Sequence, residues 1–344
     1  MDESRRSIPS LAEALAALAT PGVAERCSPL TGAGAFVVDL RRDDGAGGDR
    51  AALTLACERL RSLPCPTVGV GPLDASSPRV AALAATLDVL VTTPAQWAVI
   101  DEAIRAAPIA AMTLAQVLRA GAGLAVDDAL LLESLAYGNL LVGAEHGRWL
   151  AERPRAALRS VGAEPALLVT RTESRLDLVF NRPEKRNAYS ASTRDALVAA
   201  LEIVVADPSI TEVVLAGRGE SFCAGGDLDE FGTHPDLATA HAIRSTRSAA
   251  RMFASCADRV RVEVRGACIG AGIELAAFAR RVVAARSAFF QLPELAMGLI
   301  PGAGGTASIP RRIGRERAAW MALSGARIDA PTALAWGLID EIVD

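Results

Sequence analysis

A single carboxylate, Glu274, lies within the stretch CIGAGIELAAF (268–278), whose other residues are small or apolar. Small residues are needed where the backbone itself must touch a ligand. The part GAGIELAAFA should begin a helix, and an anion in the first turn of a helix is favoured by the helix dipole. Taken by itself, Glu274 is either an ordinary solvated or salt-bridged group or one half of an acid/base pair.

Three further stretches carry candidate functional residues. They are NRPEKRNAYS (181–190), ESFCAGGDLDEF (220–231) and FQLPELAMGLIPGAGGT (290–306). Together with the first stretch, and in this order and spacing, they resemble the enoyl-CoA hydratase/isomerase family, the crotonases. The resemblance covers residues 166–344, about half of the chain, and no comparable run lies in the first half.

The resemblance implies an oxyanion site. Reactions at the α and β carbons of an acyl-CoA put negative charge on the thioester oxygen, and two backbone N–H groups aimed at that oxygen stabilise it. By analogy with the family, these donors are the amides of Gly226 and Ala271. Glycine is usual at the second position, so Ala271 departs from the pattern, although an amide donor needs no particular side chain.

The resemblance also implies roles for two glutamates. In the family's hydratases, glutamates at the positions of Glu274 and Glu294 hold one water between them. One activates this water for attack on the β carbon, and the other delivers a proton to the α carbon. Isomerases of the family typically keep only the second glutamate, so the presence of both predicts a hydratase.

A groove for coenzyme A, which would be part of the substrate and not a separate cofactor, is implied as well. Lys185 and Arg186 are either ordinary solvated charges or contacts to the phosphates and adenine of CoA. Cys223 has no histidine placed by motif to activate it, so we interpret it as a packing residue. The residues that the resemblance assigns to CoA binding are Lys185, Arg186, Ala188, Ala224, Gly225, Asp227 and Leu228.

Composition argues against several other classes of protein. The chain of 344 residues has a formal net charge of −4 and scattered arginines, which offer no basic face to nucleic acid. Its most apolar early run, LAEALAALA, is too short for a signal peptide or a membrane helix. The six cysteines and three histidines show no metal-ligand spacing, which predicts a reducing cytoplasm and no metal. PGAGG lacks the GKS/T ending of a phosphate loop, so no nucleotide cofactor is expected.

The elements around these motifs follow an α/β pattern. Strands are predicted at AFVVDL, PTVGVG and DVLVTT, with a helix at DRAALTLACERLRSLP between the first two. Residues 94–156 should form a helical block whose apolar positions at helical spacing include Leu131, Leu132 and Leu135. A linker is expected between Arg153 and Glu164.

The second half begins with the same order of elements. RLDLVFNRP, STRDALVAALEIVVAD and TEVVLAG predict a strand, a helix and a strand, and the match with residues 36–71 suggests a strongly diverged internal repeat. Ser192 and Asp195 resemble a capping box at the start of the helix. The residues predicted on one face of this helix are Leu197, Leu201, Val204 and Val205.

We therefore expect a crotonase-like ββα superhelix over residues 161–344, preceded by a segment over 1–28 and an α/β domain over 29–160. This α/β domain is either a degenerate crotonase unit ending in a helical cover or an unrelated domain. A typical family member continues for several dozen residues of helix beyond the position of Asp344, and residues 107–156 resemble that cover. They should accordingly pack over the catalytic half.

The predicted function is hydration of a 2,3-unsaturated acyl-CoA by a cytoplasmic lyase of fatty acid metabolism. One alternative is another crotonase reaction, such as isomerisation or hydrolysis of a thioester or C–C bond. Another is a non-catalytic acyl-CoA-binding subunit. The resemblance further implies a homo-oligomer, a trimer or hexamer, with no nucleic-acid or membrane partner.

Overall fold

The computed structural model describes residues 8–43, 50–71, 77–153, 164–233 and 236–344. Most of the linker expected between Arg153 and Glu164, and with it the predicted domain boundary at 160/161, lies outside these ranges. In chain order, the elements of the first half are α1 (Leu11–Ala19), α2 (Val23–Arg26), β1 (Phe36–Asp39), α3 (Arg50–Ser62), β2 (Thr67–Val70), α4 (Pro78–Ala84), β3 (Val89–Val91), α5 (Pro94–Ala106), α6 (Pro108–Gly121), α7 (Val126–Leu141) and α8 (Ala144–Glu152).

Local sequence signals explain where these helices begin. Ser10 and Glu13 form a reciprocal capping box at α1, as Thr93 and Gln96 do at α5. Proline at the first helical position, where no N–H is needed, opens α4, α5 and α6. β1, β2 and β3 pair in parallel in that order, so the predicted strand-helix-strand unit is confirmed.

The second half contains the longer sheet. In chain order, its helices and strands are β4 (Leu167–Thr172), β5 (Arg175–Phe180), α9 (Ala191–Ala206), β6 (Glu212–Gly217), α10 (Leu237–Thr246), α11 (Ala249–Ser255), β7 (Val260–Val264), β8 (Ala267–Ile269), α12 (Ala271–Ala276), β9 (Arg281–Ala285), β10 (Phe289–Gln291), α13 (Gly305–Ile313), α14 (Arg315–Ser324), β11 (Ile328–Asp329), α15 (Ala330–Trp336) and β12 (Glu341–Val343).

Two sheets organise this half. The larger has the strand order β12-β9-β7-β6-β5-β4 and is parallel except for the β4–β5 hairpin. The smaller has the order β11-β10-β8, in which β8 and β10 run parallel. Because the carboxyl ends of parallel neighbours meet at one edge, Ala271 after β8 and Glu294 after β10 are brought to the same edge.

The start of α9 differs from its prediction. Ser190, and not Ser192, is the cap, because the Ser190 hydroxyl accepts the Thr193 N–H at 3.2 Å and the helix begins two residues earlier than a Ser192 cap would allow. The predicted apolar face is correct except at Val205, which is exposed because it follows Val204 by about 100° around the helix.

The buried face of α7 is also different from the predicted one. Leu131 and Leu135 are 47% and 49% exposed, whereas Glu133 and Ser134 are buried. Counting apolar positions failed here because the polar side chains of this helix have partners in the second half, on α13 and α10. Glu133 and Ser134 of α7 therefore point inwards.

The helical block formed by α5 to α8 packs on the second half, as expected for residues 107–156. α5 and α6 contact α14, α6 and α7 contact α13, and α8 contacts the 3₁₀ turn Glu294–Met297. One apolar core runs through both halves and includes Val68, Ile100, Leu178 and Ile309. The two halves thus share a core in the described ranges.

A buried ion cluster centred on Asp88, just before β3, joins the halves a second time. Asp88 is 1% exposed and accepts hydrogen bonds from the N–H and hydroxyl of Thr67, at 2.8 and 2.9 Å. Arg119 of α6 reaches its Oδ1 at 2.9 Å, and Arg315 of α14 pairs with the same oxygen. One carboxylate therefore binds two arginines from different halves.

Asp88→Asn should lower the free energy of unfolding by about 3 kcal/mol or more, because removing one partner leaves buried charges without compensation. Urea unfolding followed by circular dichroism and by tryptophan fluorescence measures the change. The circular dichroism and fluorescence transitions should shift together to the same urea concentration. Fluorescence reports on both halves, because Trp97 of the first half and Trp336 of the second pack against one core.

Asp101→Asn is the matched control, because Asp101 pairs with the exposed Arg105 at 2.9 Å along α5. This change should cost no more than about 0.5 kcal/mol. Equal losses in the two variants, or separate transitions for the two signals, would contradict the inference that the cluster couples the halves.

Candidate active site

A cavity of about 390 Å³ lies between the helical block and the second half. Its walls come from α7, the loop around residues 224–232, α10 and α11, the start of α12, and residues 293–304. All four residues predicted to be catalytic, Gly226, Ala271, Glu274 and Glu294, line it. The structure therefore brings together residues that are up to 68 positions apart in the sequence.

The two predicted oxyanion loops are held side by side by backbone pairing. The Cys223 N–H donates to the Ala267 carbonyl at 3.0 Å, and the Ile269 N–H donates to the Cys223 carbonyl at 2.9 Å. A methyl group added at Gly272 would lie 2.9 Å from the Cβ of Cys223, so α12 approaches this loop as closely as a glycine allows. Cys223 is buried, and burial raises the pKa of its thiol to about 12, as befits a packing residue.

The predicted donors themselves are available to a ligand. Their neighbours are occupied, since Asp227 N–H donates to the Tyr189 carbonyl at 2.8 Å and Gly270 N–H to the Gln291 carbonyl at 2.9 Å. Within the described ranges, neither the Gly226 nor the Ala271 N–H donates to a protein acceptor. Two fixed N–H groups in one cavity wall can stabilise an oxygen that becomes negative during a reaction.

Glu274 occupies the first turn of α12 and is 2% exposed. Its Oε2 accepts hydrogen bonds from the N–H groups of Ala303 at 2.7 Å and Gly305 at 2.9 Å. Burial, and after it the charges of Glu294 and Glu133, hold the pKa of Glu274 well above its ordinary value. The protonated form of this carboxyl group is therefore more favoured than in an exposed glutamate.

Glu294 begins the 3₁₀ turn that follows β10. Its Oε2 is buried and has no hydrogen-bond partner in the described part of the chain. A methyl at Gly270 would lie 2.5 Å from its Oε1, which places this carboxyl group against the residue before the Ala271 donor. Burial raises the pKa of Glu294 to about 8. A buried oxygen without a partner is costly, so it suits a site that receives water or a ligand.

Glu133 of α7 is a third acid in the cavity wall, and the sequence analysis did not predict it as a site residue. It is 3% exposed and accepts the N–H groups of Gly304 at 2.7 Å and Thr306 at 2.9 Å, together with the Thr306 hydroxyl at 2.7 Å. Burial raises its pKa to about 7. The available signal was its isolation, as the one acid between Asp128 and Glu145 in a leucine-rich helix.

A second polar cluster missed from the sequence joins α7 to α10. The Ser134 hydroxyl contacts His241 Nδ1 at 2.9 Å and accepts a hydrogen bond from Arg244 Nε, also at 2.9 Å. Arg244 lies over the Tyr137 ring at 5.3 Å and lines the cavity. Burial lowers the pKa of Arg244. This cation therefore faces the same space as the three glutamates.

The residues predicted to bind CoA divide into two groups. Lys185, Arg186 and Ala188 lie outside the cavity wall, and Lys185 forms ion pairs with Asp229 and, at 3.7 Å, with Asp227. A CoA phosphate would have to compete with these acids for Lys185. Those that line the cavity are Ala224, Gly225, Asp227 and Leu228.

Other classes of site were sought in the described residues. They contain no group of three or more histidine, cysteine, aspartate or glutamate side chains arranged to hold a metal ion. Among the same residues, no helix combines the length and the apolar character needed to cross a membrane.

Known proteins similar to this chain match its second half. The family model for enoyl-CoA hydratase/isomerase matches residues 171–344. The 2,3-dehydroadipyl-CoA hydratase of Escherichia coli (strain K12) is 39% identical over 178 residues, which cover 51% of this chain and 68% of the relative. The 1,2-epoxyphenylacetyl-CoA isomerase of the same strain is 38% identical over 174 residues, or 49% of this chain and 66% of the relative.

A third relative is the mevalonyl-coenzyme A hydratase sidH of Aspergillus fumigatus, 35% identical over 171 residues and matched over 48% of this chain. The chain spans 62% of that relative's length. Among solved structures, an enoyl-CoA hydratase from Thermoplasma volcanium GSS1 aligns with a TM-score of 0.48 and 31% identity, over 53% of this chain and 73% of that one. An enoyl-CoA hydratase of Mycobacterium smegmatis gives a TM-score of 0.49 and 32% identity, over 52% and 70%.

Gly270→Ala should displace the Glu294 carboxyl group. Gly270 has a φ of +48°, which L side chains rarely adopt, and the new methyl would meet Glu294 Oε1. Any turnover of an acyl-CoA that uses the Glu294 carboxyl group should fall about a hundredfold, which is the scale expected when a reacting group moves by about 1 Å. Initial rates across a panel of enoyl-CoA thioesters measure this effect.

Gly123→Ala provides the control for backbone strain alone. Gly123 has a φ of +86°, and no described atom lies within 4 Å of a methyl added there. This variant should lose about 1 kcal/mol of stability and keep its turnover. A similar loss of turnover in both variants would contradict the placement of Glu294 beside Gly270.

Proposed function

The chain belongs to the enoyl-CoA hydratase/isomerase family, and we propose that it adds water across the 2,3-double bond of an unsaturated acyl-CoA. One observation carries the proposal: two glutamates with raised pKa values share a cavity with two backbone N–H groups that have no protein acceptor among the described residues. The crotonase-like α/β fold of the family is compatible with several reactions, so the argument rests on this site.

In the proposed reaction, the thioester oxygen accepts hydrogen bonds from Gly226 and Ala271, which stabilise the enolate as it forms. A water lies between Glu274 and Glu294. One glutamate is ionised and takes a proton from this water, while the oxygen of the water forms a bond to the β carbon. The other, protonated, gives its proton to the α carbon. The product is a 3-hydroxyacyl-CoA, and the two carboxyl groups have exchanged protonation states.

CoA would enter along the loop that contains Ala224, Gly225, Asp227 and Leu228, all of which line the cavity. Lys185, Arg186 and Ala188 would meet its phosphates and adenine outside the cavity, provided that Lys185 releases its acidic partners. The predicted homo-oligomer and the cytoplasmic location stay predictions.

A double-bond shift is a second candidate, favoured by one observation. In the described ranges, both hydrogen bonds to the Glu274 carboxyl group come from backbone N–H groups, whereas the Glu294 carboxyl group has a buried oxygen without a partner. A single carboxyl group that moves a proton from one carbon to another suffices for isomerisation.

Glu274→Gln and Glu294→Gln should each lower hydration by two or more orders of magnitude, the scale of acid/base catalysis, with little change in CoA affinity. Loss of the conjugated thioester absorbance measures hydration, and calorimetry with a non-reactive acyl-CoA measures affinity. If only Glu294→Gln abolishes activity while Glu274→Gln hydrates at a near-normal rate, the two-glutamate mechanism is wrong and isomerisation is favoured.

The pH dependence follows from the raised pKa values. Catalysis needs one carboxyl group ionised and the other protonated, so activity is lost both at low pH, where both carry protons, and at high pH, where neither does. Burial raises the pKa of Glu294 to about 8 and that of Glu274 well above its ordinary value. The ascending and descending limbs of the pH profile should therefore both lie well above pH 4.3, the ordinary pKa of a glutamate being about 4.3. The profile of kcat/KM tests this, and an ascending limb near pH 4 contradicts it.

A further inference from the structure

The N-terminus of α13 is held by two carboxylates in alternation. Four successive N–H groups, from Ala303 to Thr306, each donate to a glutamate side chain. Glu274 accepts from the first and third, and Glu133 accepts from the second and fourth. The first N–H groups of a helix have no partner within the helix, so these acceptors are required in a buried site.

The segment that carries these N–H groups has little room to move. A methyl group added at Gly302 would meet the Tyr137 ring of α7. A methyl group added at Gly305 would lie 2.6 Å from the Cγ of Glu274. Gly304 has a φ of +104°, a conformation that favours glycine. The segment is therefore clamped between α7 and α12, and a change in its position would move Glu274 as well.

We propose that Glu133 is a positioning residue of the active site, contributed by the helical block: by holding the Gly304 and Thr306 N–H groups, it fixes the segment that binds Glu274. The proposal deepens the proposed function and rests on it. With Oε2 of Glu274 bound to Ala303 and Gly305, its Oε1 is the oxygen that can meet the water. Glu133 acts through Glu274 and does not itself touch the reacting atoms.

Glu133 also acts on Glu274 through its charge. Charged and titratable groups face the pair from every wall of the cavity: Tyr137, Tyr189, Arg194, Asp227, Glu230, Arg244, Arg247, Arg251 and Glu294. The buried Cys223 thiol lies beside α12, and His241 contacts Ser134 next to Glu133. After burial and the charge of Glu294, the charge of Glu133 raises the pKa of Glu274. Removing that charge should therefore lower the pKa of Glu274, because its ionised form no longer faces a second anion.

The test compares Glu133→Gln with Glu145→Gln in the full chain. Glu145 of α8 accepts the N–H groups of Ile109 at 2.7 Å and Ala110 at 2.9 Å, so it caps α6 as Glu133 caps α13. It belongs to the same helical block but is absent from the cavity wall. Both changes replace a capping carboxylate with an amide, whose NH₂ group cannot accept an N–H.

In Glu133→Gln, kcat should fall at least about tenfold while KM changes less than about threefold, because Glu274 is misplaced and the CoA groove is intact. The ascending limb of kcat/KM should move to lower pH. Glu133→Asp keeps the charge but shortens the side chain, so kcat should fall while the ascending limb of the kcat/KM profile stays at the same pH. Glu145→Gln should lower thermal stability without changing kcat or the pH profile.

A second readout does not depend on turnover. In protein labelled with [13C]glutamate, the carboxyl signal lost in Glu274→Gln identifies Glu274, and its titration gives the pKa directly. This pKa should be lower in Glu133→Gln than in the unaltered protein and unchanged in Glu145→Gln. The proposal is overturned if both variants lose kcat equally with the same profile, or if the titration of Glu274 does not move.

The two proposals fail in distinguishable ways. If the unaltered protein hydrates no enoyl-CoA, the proposed function is wrong, and the titration of Glu274 still decides whether Glu133 controls it. If hydration is normal in Glu133→Gln, the proposed function stands and the positioning role is wrong. Should Glu133→Gln fail to fold, the kcat of Glu133→Asp decides: a fall with an unchanged pH profile supports the positioning role, and an unchanged kcat overturns it.

Discussion

The structure of the site depends on how the N-terminus of α13 finds its hydrogen-bond acceptors. Four backbone N–H groups meet two buried carboxyl groups, Glu274 from the second half and Glu133 from the first. Hydrogen bonds to charged groups contribute about 1.5–3 kcal/mol each, and burying a carboxylate costs several kcal/mol. The two effects are of similar size, so neither acid is held firmly in its ionised form. Their raised pKa values express that balance, on which proton transfer by Glu274 would depend.

The family resemblance, which short motifs carry, selected four residues that the fold brings to one cavity, and their catalytic roles stay predictions. Gly226, Ala271, Glu274 and Glu294 belong to short motifs at the ends of strands, and the pairing of β8 with β10 and with the Cys223 loop carries them to one cavity. The strand-helix-strand units were predictable because their apolar periodicity is a property of neighbouring residues.

Glu133 was not predictable in this way, because its partners lie 171 and 173 residues further along the chain. Leu131 and Leu135, which were predicted at helical spacing, are both exposed on α7. The pattern counts apolar side chains, whereas this helix is oriented by its polar ones, through Glu133 to α13 and Ser134 to Arg244. A buried acid in a leucine-rich helix is therefore better evidence of an interior polar partner than of a solvated face.

The position of Glu133 also bears on which part of the chain makes the active site. Residues 164–344 supply both predicted oxyanion donors and Glu274 and Glu294, yet alone they leave the Gly304 and Thr306 N–H groups without their carboxylate. Water could replace that acceptor only by entering the cavity, where it would weaken every electrostatic interaction on which the two glutamates depend. The shared apolar core and the Asp88 cluster hold α7 in place from the other side. Through Glu133, α7 thus helps to order the site, and its contribution is electrostatic as well as steric.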